Sequence, residues 1–236
     1  MTANHRIVPE NSKYDIGASM VSTGRSLRIQ EVIEQKIKKG EKFSVEHMVE
    51  LQQDLTDVIA RDMAPIISKI VDSALGNKDF TFTASERAEI ETMNEWMRTF
   101  NGIMSEDSIQ ATVYSYWQYF FYHSLLDQFT IDGRIEGERL DQEGEKYWTT
   151  KRKYLLVDNY AFFEFYQRMI VEVQKDSGRY NRLCKTKIND KFGAKNPCAY
   201  NMARAFVDVK HHLETVMGLK QSEWNYGNIH VNEYPN

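Results

Sequence analysis

The chain is poor in cysteine, proline and long apolar runs, and each scarcity removes a class of protein. Two cysteines among 236 residues cannot build a disulfide framework, and no CxxC or HExxH pattern offers a metal or redox motif. Four prolines and twelve glycines fall without turn signals every 8–12 residues, so an all-β sandwich or barrel is excluded. No apolar run approaches the roughly 20 residues that span a bilayer, so no membrane partner is expected. A formal charge of −4 gives no electrostatic reason to expect nucleic acid or an anionic membrane surface. The start, MTANHRIVPEN, has neither the basic nor the apolar region of a secretory signal, which predicts a chain that stays where it is made. What is present is a 42% hydrophobic content, enough to bury a core. The rest is largely helix formers, and no cofactor motif stands out.

The stretch Arg25–Pro65 organises this helical reading. Ile29, Val32, Ile33 and Ile37 recur at the three- and four-residue spacing of one buried face, and Gly40 supplies a stop. Ser44 caps a second helix with Glu46 in its first turn; Met48, Leu51, Leu55, Val58 and Ile59 form its inner stripe, and Pro65 ends it. Beyond Pro65 an apolar face runs through Ile67, Ile70 and Val71 to Gly76-Asn77. Thr83 and Glu86 then form a capping box for a helix whose inner stripe is Ile90, Met93, Met97 and Phe100. Asn101-Gly102 marks a turn. Ser105 is the expected cap of the next helix, which carries Ile109, Val113, Trp117, Phe120 and Phe121 inward and tyrosines on more than one side. His123 on that helix reads as packed or exposed rather than catalytic. Residues 127–153 are charged and glycine-bearing and read as a surface connection. A well-buried helix over Tyr154–Lys175 follows, then a last helix from near Asn201 to Gly218 with Ala205, Phe206, Val209, Leu213 and Val216 on its face. His211 and His212 project about 100° apart and do not suit one metal. Trp224–His230 reads as an extended, glycine-bearing ending.

Three stretches carry more than periodicity. The first has Arg25, Arg28 and Ile29, then Ser44, Glu46, Met48, Leu51, Gln52 and Asp54, then Ala60 and Pro65. The second is FNGIMSEDSIQATVYSYW (Phe100–Trp117), and the third WNYGNIH (Trp224–His230). In this order they resemble the large subunit of the penicillin amidase (penicillin acylase) family of N-terminal-nucleophile hydrolases. The resemblance implies a mainly α chain: the helical region of an αββα large subunit, with short extended segments at both ends and the core sandwich incomplete. It divides the chain into an extended segment (1–24), a helical lobe (25–126), a charged linker (127–153), a second helical lobe (154–218) and an extended C-terminal segment (219–236).

The resemblance also implies site residues. Asn4, in the β-prone ANHRIVP, matches the family asparagine whose amide N–H donates to the oxyanion formed in acyl transfer; such a donor is worth roughly 2.7–4 kcal/mol where it has been removed. Arg25 matches the arginine beside that asparagine, its planar charged fork suited to an amide oxygen or a carboxylate. The plainer readings are a polar residue near a terminus for Asn4 and a solvated arginine for Arg25. Arg28 reads as an ion-pair residue. The family nucleophile, a serine at a processed N-terminus, lies upstream of the segment matching Asn4, so none is expected in this chain. Thr2, exposed by loss of Met1, would share a strand with Asn4 and cannot take its place. Cys184 and Cys198 are spaced like a cysteine pair found before the last helix of some family members. The resemblance implies a bridge, worth about 3 kcal/mol for a loop of about 15 residues and formed only in an oxidising compartment; two buried free thiols is the other reading. Family members are often extracytoplasmic.

The expected function is hydrolysis of carbon–nitrogen bonds in linear amides through an N-terminal serine acyl-enzyme. Here it would be a fragment, inactive alone, with a small N-acyl amide as substrate and the upstream polypeptide or small subunit as partner. The alternative is a non-catalytic helical interaction module derived from such an enzyme.

Overall fold

The computed structural model describes Lys13 and residues 24–126, 130–131, 134–135, 160–185 and 195–229. These are mainly helical. The helices are α1 (Gly24–Lys38), α2 (Val45–Gln52), α3 (Val58–Gly76), α4 (Ala84–Arg98), α5 (Ile109–Leu126), α6 (Tyr160–Gln174), α7 (Asn181–Cys184) and α8 (Pro197–Met217). Within the charged stretch, β1 (Thr130–Ile131) and β2 (Arg134–Ile135) form a small antiparallel pair.

The last helix is the hub. Helix α8 packs on α3, α4, α5 and α7, while α3 also packs on α4 and α6, so helices on both sides of residues 127–153 share one core. Its apolar positions supply the reason. Ala199, Met202, Ala203, Ala205, Phe206, Val207, Val209 and Leu213 are all buried, which covers much of the helix circumference and requires neighbours on several sides. Facing them are Ile67 and Val71 of α3, Ile90, Met93 and Met97 of α4, and Val113, Trp117 and Phe121 of α5, each fully buried. Trp117 stacks on Phe121 with ring centroids 5.1 Å apart. Its indole N–H donates 2.9 Å to the carbonyl of Met202, so this large side chain is buried without an orphaned donor. Arg204 of α8 also pairs with Glu86 of α4, the glutamate that closes the capping box on Thr83.

Several helix ends depart from the sequence reading, each for a local reason. The segment expected to run as one helix from Ser44 to Pro65 is broken: α2 stops at Gln52, and α3 starts after Asp57, whose side chain accepts from the amides of Ile59 and Ala60. Pro65 therefore sits inside α3 rather than ending a helix. It is solvent-exposed, so the hydrogen bond it cannot donate is lost on the wet side. Helix α5 is capped by Ser108, whose hydroxyl accepts from the amide of Ala111. Ser105, the expected cap, instead donates to Asp107. Helix α8 begins at Pro197 rather than near Asn201. Proline suits a first-turn position, where no amide partner is needed, and Asn196 supplies the cap. Gly218 ends α8 as expected, with φ +85°. Residues 221–223 and 226–228 form 3-10 turns where an extended ending was expected, and His230 lies outside the described residues. So do residues 154–159 of the expected helix before α6, and the side chains of Phe162, Phe163, Phe165 and His123.

Helices α1 and α2 form a hairpin, with Ser44 capping α2 and Gly40 at φ +70° between them. Its apolar stripes are not buried as expected. Ile37 is 60% exposed and Leu55 54%; Ile29, Val32 and Ile33 are half-buried, and no residue of α2 is buried. The same holds for Val216 near the end of α8, which is exposed.

Candidate functional site

Asn4 lies outside the described residues. Arg25 is the second residue of α1, exposed and one turn before Arg28, and α1 is attached chiefly to α3.

A charge network ties α1 to α3 and to the loop before it. Arg28 grips Asp54 at two points: Nε donates 3.0 Å to Oδ1 and Nη2 donates 2.6 Å to Oδ2. Its Nη1 donates 2.6 Å to Glu31. Glu31 also accepts from Arg61 of α3 at 3.0 Å, and Arg61 pairs in turn with Asp62. The guanidinium of Arg28 and the amide of Thr56 hold the Asp54 carboxyl well below the ordinary range, at about 2. Hydrogen bonds from Arg28 and then Arg61 lower Glu31 as well. The sequence reading identified Arg28 as an ion-pair residue; its partner Asp54 stands 26 residues away, and no local spacing rule reaches that far.

Asp54 opens a turn into which the other two motif stretches fold. Its Oδ1 accepts from the amide of Thr56 at 2.8 Å. The amide of Asp57 then donates to the carbonyl of Gly102 at 2.8 Å, and that of Met104 to the carbonyl of Leu55 at 2.9 Å. Gly102, at φ +82°, lies so close that a Cβ would come within 2.6 Å of both the Asp57 carbonyl oxygen and the Arg61 Cβ. Only glycine fits, which explains Asn101-Gly102 as more than a generic turn. From the C-terminal stretch, Gly227 donates 2.7 Å to the carbonyl of Glu106. Trp224 is fully buried, its indole N–H on the carbonyl of Gly218 at 2.9 Å. Leu55, Met104, Ser105, Glu106, Asp107, Tyr226 and Gly227 line a cleft of about 520 Å³ at this seam. Burial there raises the Tyr226 phenol.

The three stretches singled out in the sequence thus meet in space, and the comparison with known families gives their meeting a context. The family model of penicillin amidase matches residues 1–236. The chain belongs to the penicillin amidase family. No curated protein and no solved structure matches it. Membership brings a resemblance to amidases and acylases, hydrolases that bind a substrate and are in general built from more than one subunit, and a mainly helical chain is consistent with a helical region of such an enzyme.

The remaining candidates lie apart from the seam. Cys184 and Cys198 are joined in a disulfide with Cα atoms 4.8 Å apart, tying α7 to the first turn of α8. Asn201, buried beside them, donates to the carbonyl of Cys184 at 2.8 Å. A second cleft of about 440 Å³ opens near this tie, lined by Lys69, Asn77, Phe80, Gln174, Asp176 and Asn196 among others. His211 Nε2 lies 3.2 Å from Glu89 of α4. His212 rests on the rings of Tyr116 and Phe120, where burial lowers its pKa. The two neighbours face different partners.

Proposed function

We propose that this chain is part of a hydrolase that cleaves the carbon–nitrogen bond of linear N-acyl amides, with the nucleophilic serine contributed from outside residues 1–236. The observation that carries the reading is the family match across residues 1–236, supported by the convergence of three separated motif stretches at one seam. In this reading the serine hydroxyl attacks the amide carbonyl, with the serine's own α-amino group as base, directly or through water. The carbonyl oxygen becomes an oxyanion that receives a hydrogen bond from the side-chain amide of Asn4. The amine leaves with a proton, and water releases the acid from the acyl-enzyme. Arg25 orients the oxyanion-hole region with its fixed fork of N–H groups.

The test begins with the intact mass and N-terminal sequence of the native protein. A species that includes a processed N-terminal serine, and that loses kcat on Asn4→Ala or Arg25→Ala by about 10²–10³-fold, supports the reading. A native chain beginning at Met1 or Thr2 with no partner polypeptide overturns it. The second reading, a non-catalytic interaction module, is favoured by one observation: Leu27, Ile37, Val45, Val49 and Leu55 are all at least 45% exposed on or beside the first hairpin, as an unoccupied contact face would be.

A further inference from the structure

We propose that Arg28 and Asp54 are positioning residues for Arg25: their two-point ion pair fixes the first turn of α1 against the seam where the three motif stretches meet. The proposal rests on the amidase reading of Arg25 given above.

Helix α1 is held by a shallow face and by charge, including Lys36, whose ammonium lies 3.5 Å from both Glu41 and Glu50. Its one buried residue is Ser26, and Ile29, Val32 and Ile33 are only half-buried. Apolar contact is non-directional, so this shallow stripe does not by itself set the rotation of the helix. A guanidinium fork on a carboxylate fixes direction as well as distance. Arg28 follows Arg25 by three residues, which places the two on one side of the helix, about 60° apart around its axis and about 4.5 Å along it. Gripping Arg28 therefore sets both the height and the rotation of Arg25.

The other end of the grip is firm. Asp54 is held by the Thr56 amide, and the residues after it cap α3 and bond to Gly102 and Met104. Glu31 adds a second tie, from Arg28 across to Arg61 on α3. The N-terminal part of α1 is thus tied by charge to the turn that Asp54 opens. The Arg28 and Asp54 side chains are 22% and 18% exposed, so breaking the pair costs some stability. A 1 Å displacement of a reacting group costs about a hundredfold in rate, and kcat counted per active site separates the two.

The test uses the native enzyme, with kcat counted per active site by burst titration and amide exchange followed along the chain. Arg28→Ala and the near-isosteric Asp54→Asn are each expected to lower kcat per site about 10- to 100-fold, with KM changed less than about threefold. Exchange should quicken in 24–38 and stay unchanged in 197–217. Arg28→Lys should recover part of the loss, and neither change should add to Arg25→Ala. A fall in the amount of folded enzyme at unchanged kcat per site would make the pair merely structural and overturn the proposal, as would losses that multiply with that of Arg25→Ala. If Arg25→Ala itself leaves kcat unchanged, the reading of Arg25 fails first and the positioning role falls with it; if only the Arg28 and Asp54 variants are silent, the reading of Arg25 stands and the positioning role alone is lost.

Discussion

The bundle of α3, α4, α5 and α8 and the hairpin of α1 and α2 carry the same kind of amphipathic periodicity, yet they are held by different physics. In the bundle the stripes close on one another, and Ile67, Ile90, Trp117 and Phe206 are fully buried. In the hairpin the corresponding side chains stay half-buried or exposed, and the attachment draws on ion pairs among Arg28, Asp54, Glu31 and Arg61. Apolar periodicity says that a helix has a face to cover. It does not say whether the chain itself covers it.

Four substitutions or titrations test this contrast, and their expected effects descend in size. Phe206→Ala, in the bundle, should destabilise the whole fold by about 3–5 kcal/mol, read from the urea midpoint at unchanged m-value; a loss confined to α8 would mean that the bundle is not one cooperative unit. Cys198→Ser should cost about 3 kcal/mol, since the bridge closes a loop of about 15 residues. Its check is the thermal midpoint with and without reductant: the wild type should fall to the level of the variant, while reductant leaves the variant where it was. Gly102→Ala, at the seam between the two regions, should cost about 2 kcal/mol, because the added Cβ meets backbone at 2.6 Å and the residue is held at positive φ.

The smallest effect is an acid one. Asp54 has a folded pKa of about 2 against an ordinary 3.8, so its contribution is present above about pH 3.8 and is lost as pH falls toward 2. With partial solvent screening that amounts to about 1 kcal/mol. It should appear as faster exchange in α1 between pH 4 and pH 2 and vanish in Asp54→Asn. Other carboxylates titrate in the same window, Glu31 among them, so the difference between wild type and variant is the quantity to read.

Much of the bundle was legible in the sequence. The inner stripes of α4 and α5, the Thr83–Glu86 box, the Asn101-Gly102 turn and the stop at Gly218 are written in neighbouring residues, and local rules reach that far. The errors were also local competitions. Asp57 and Ser108 out-competed the expected helix boundaries because each has a backbone amide within reach of its side chain, and Pro65 was tolerated because its side of α3 faces water. The seam was legible only as three motifs in order. That Asp54 answers Arg28, that Gly102 abuts Arg61 and that Gly227 bonds to Glu106 are pairings across 26, 41 and 121 residues, and no periodicity encodes them. Burial of the hairpin was misread for a related reason, since amphipathicity is a property of one helix and burial a property of two.

One consequence follows from α8 being both the hub and the last of the described helices. During synthesis α3, α4 and α5 leave the ribosome long before their common partner, so the faces of Ile67, Ile90 and Trp117 remain uncovered while more than a hundred further residues are made for the earliest of them. The contacts of α8 with α3 and α4 join residues distant in sequence, which slows folding and prolongs the interval in which an apolar surface can find the wrong neighbour. Nascent chains arrested before Pro197 should therefore be cut readily by protease within α3–α5 and engage holding chaperones, whereas chains arrested far enough beyond Met217 for α8 to emerge should resist; resistance of the shorter chains would show that the bundle can assemble without its hub.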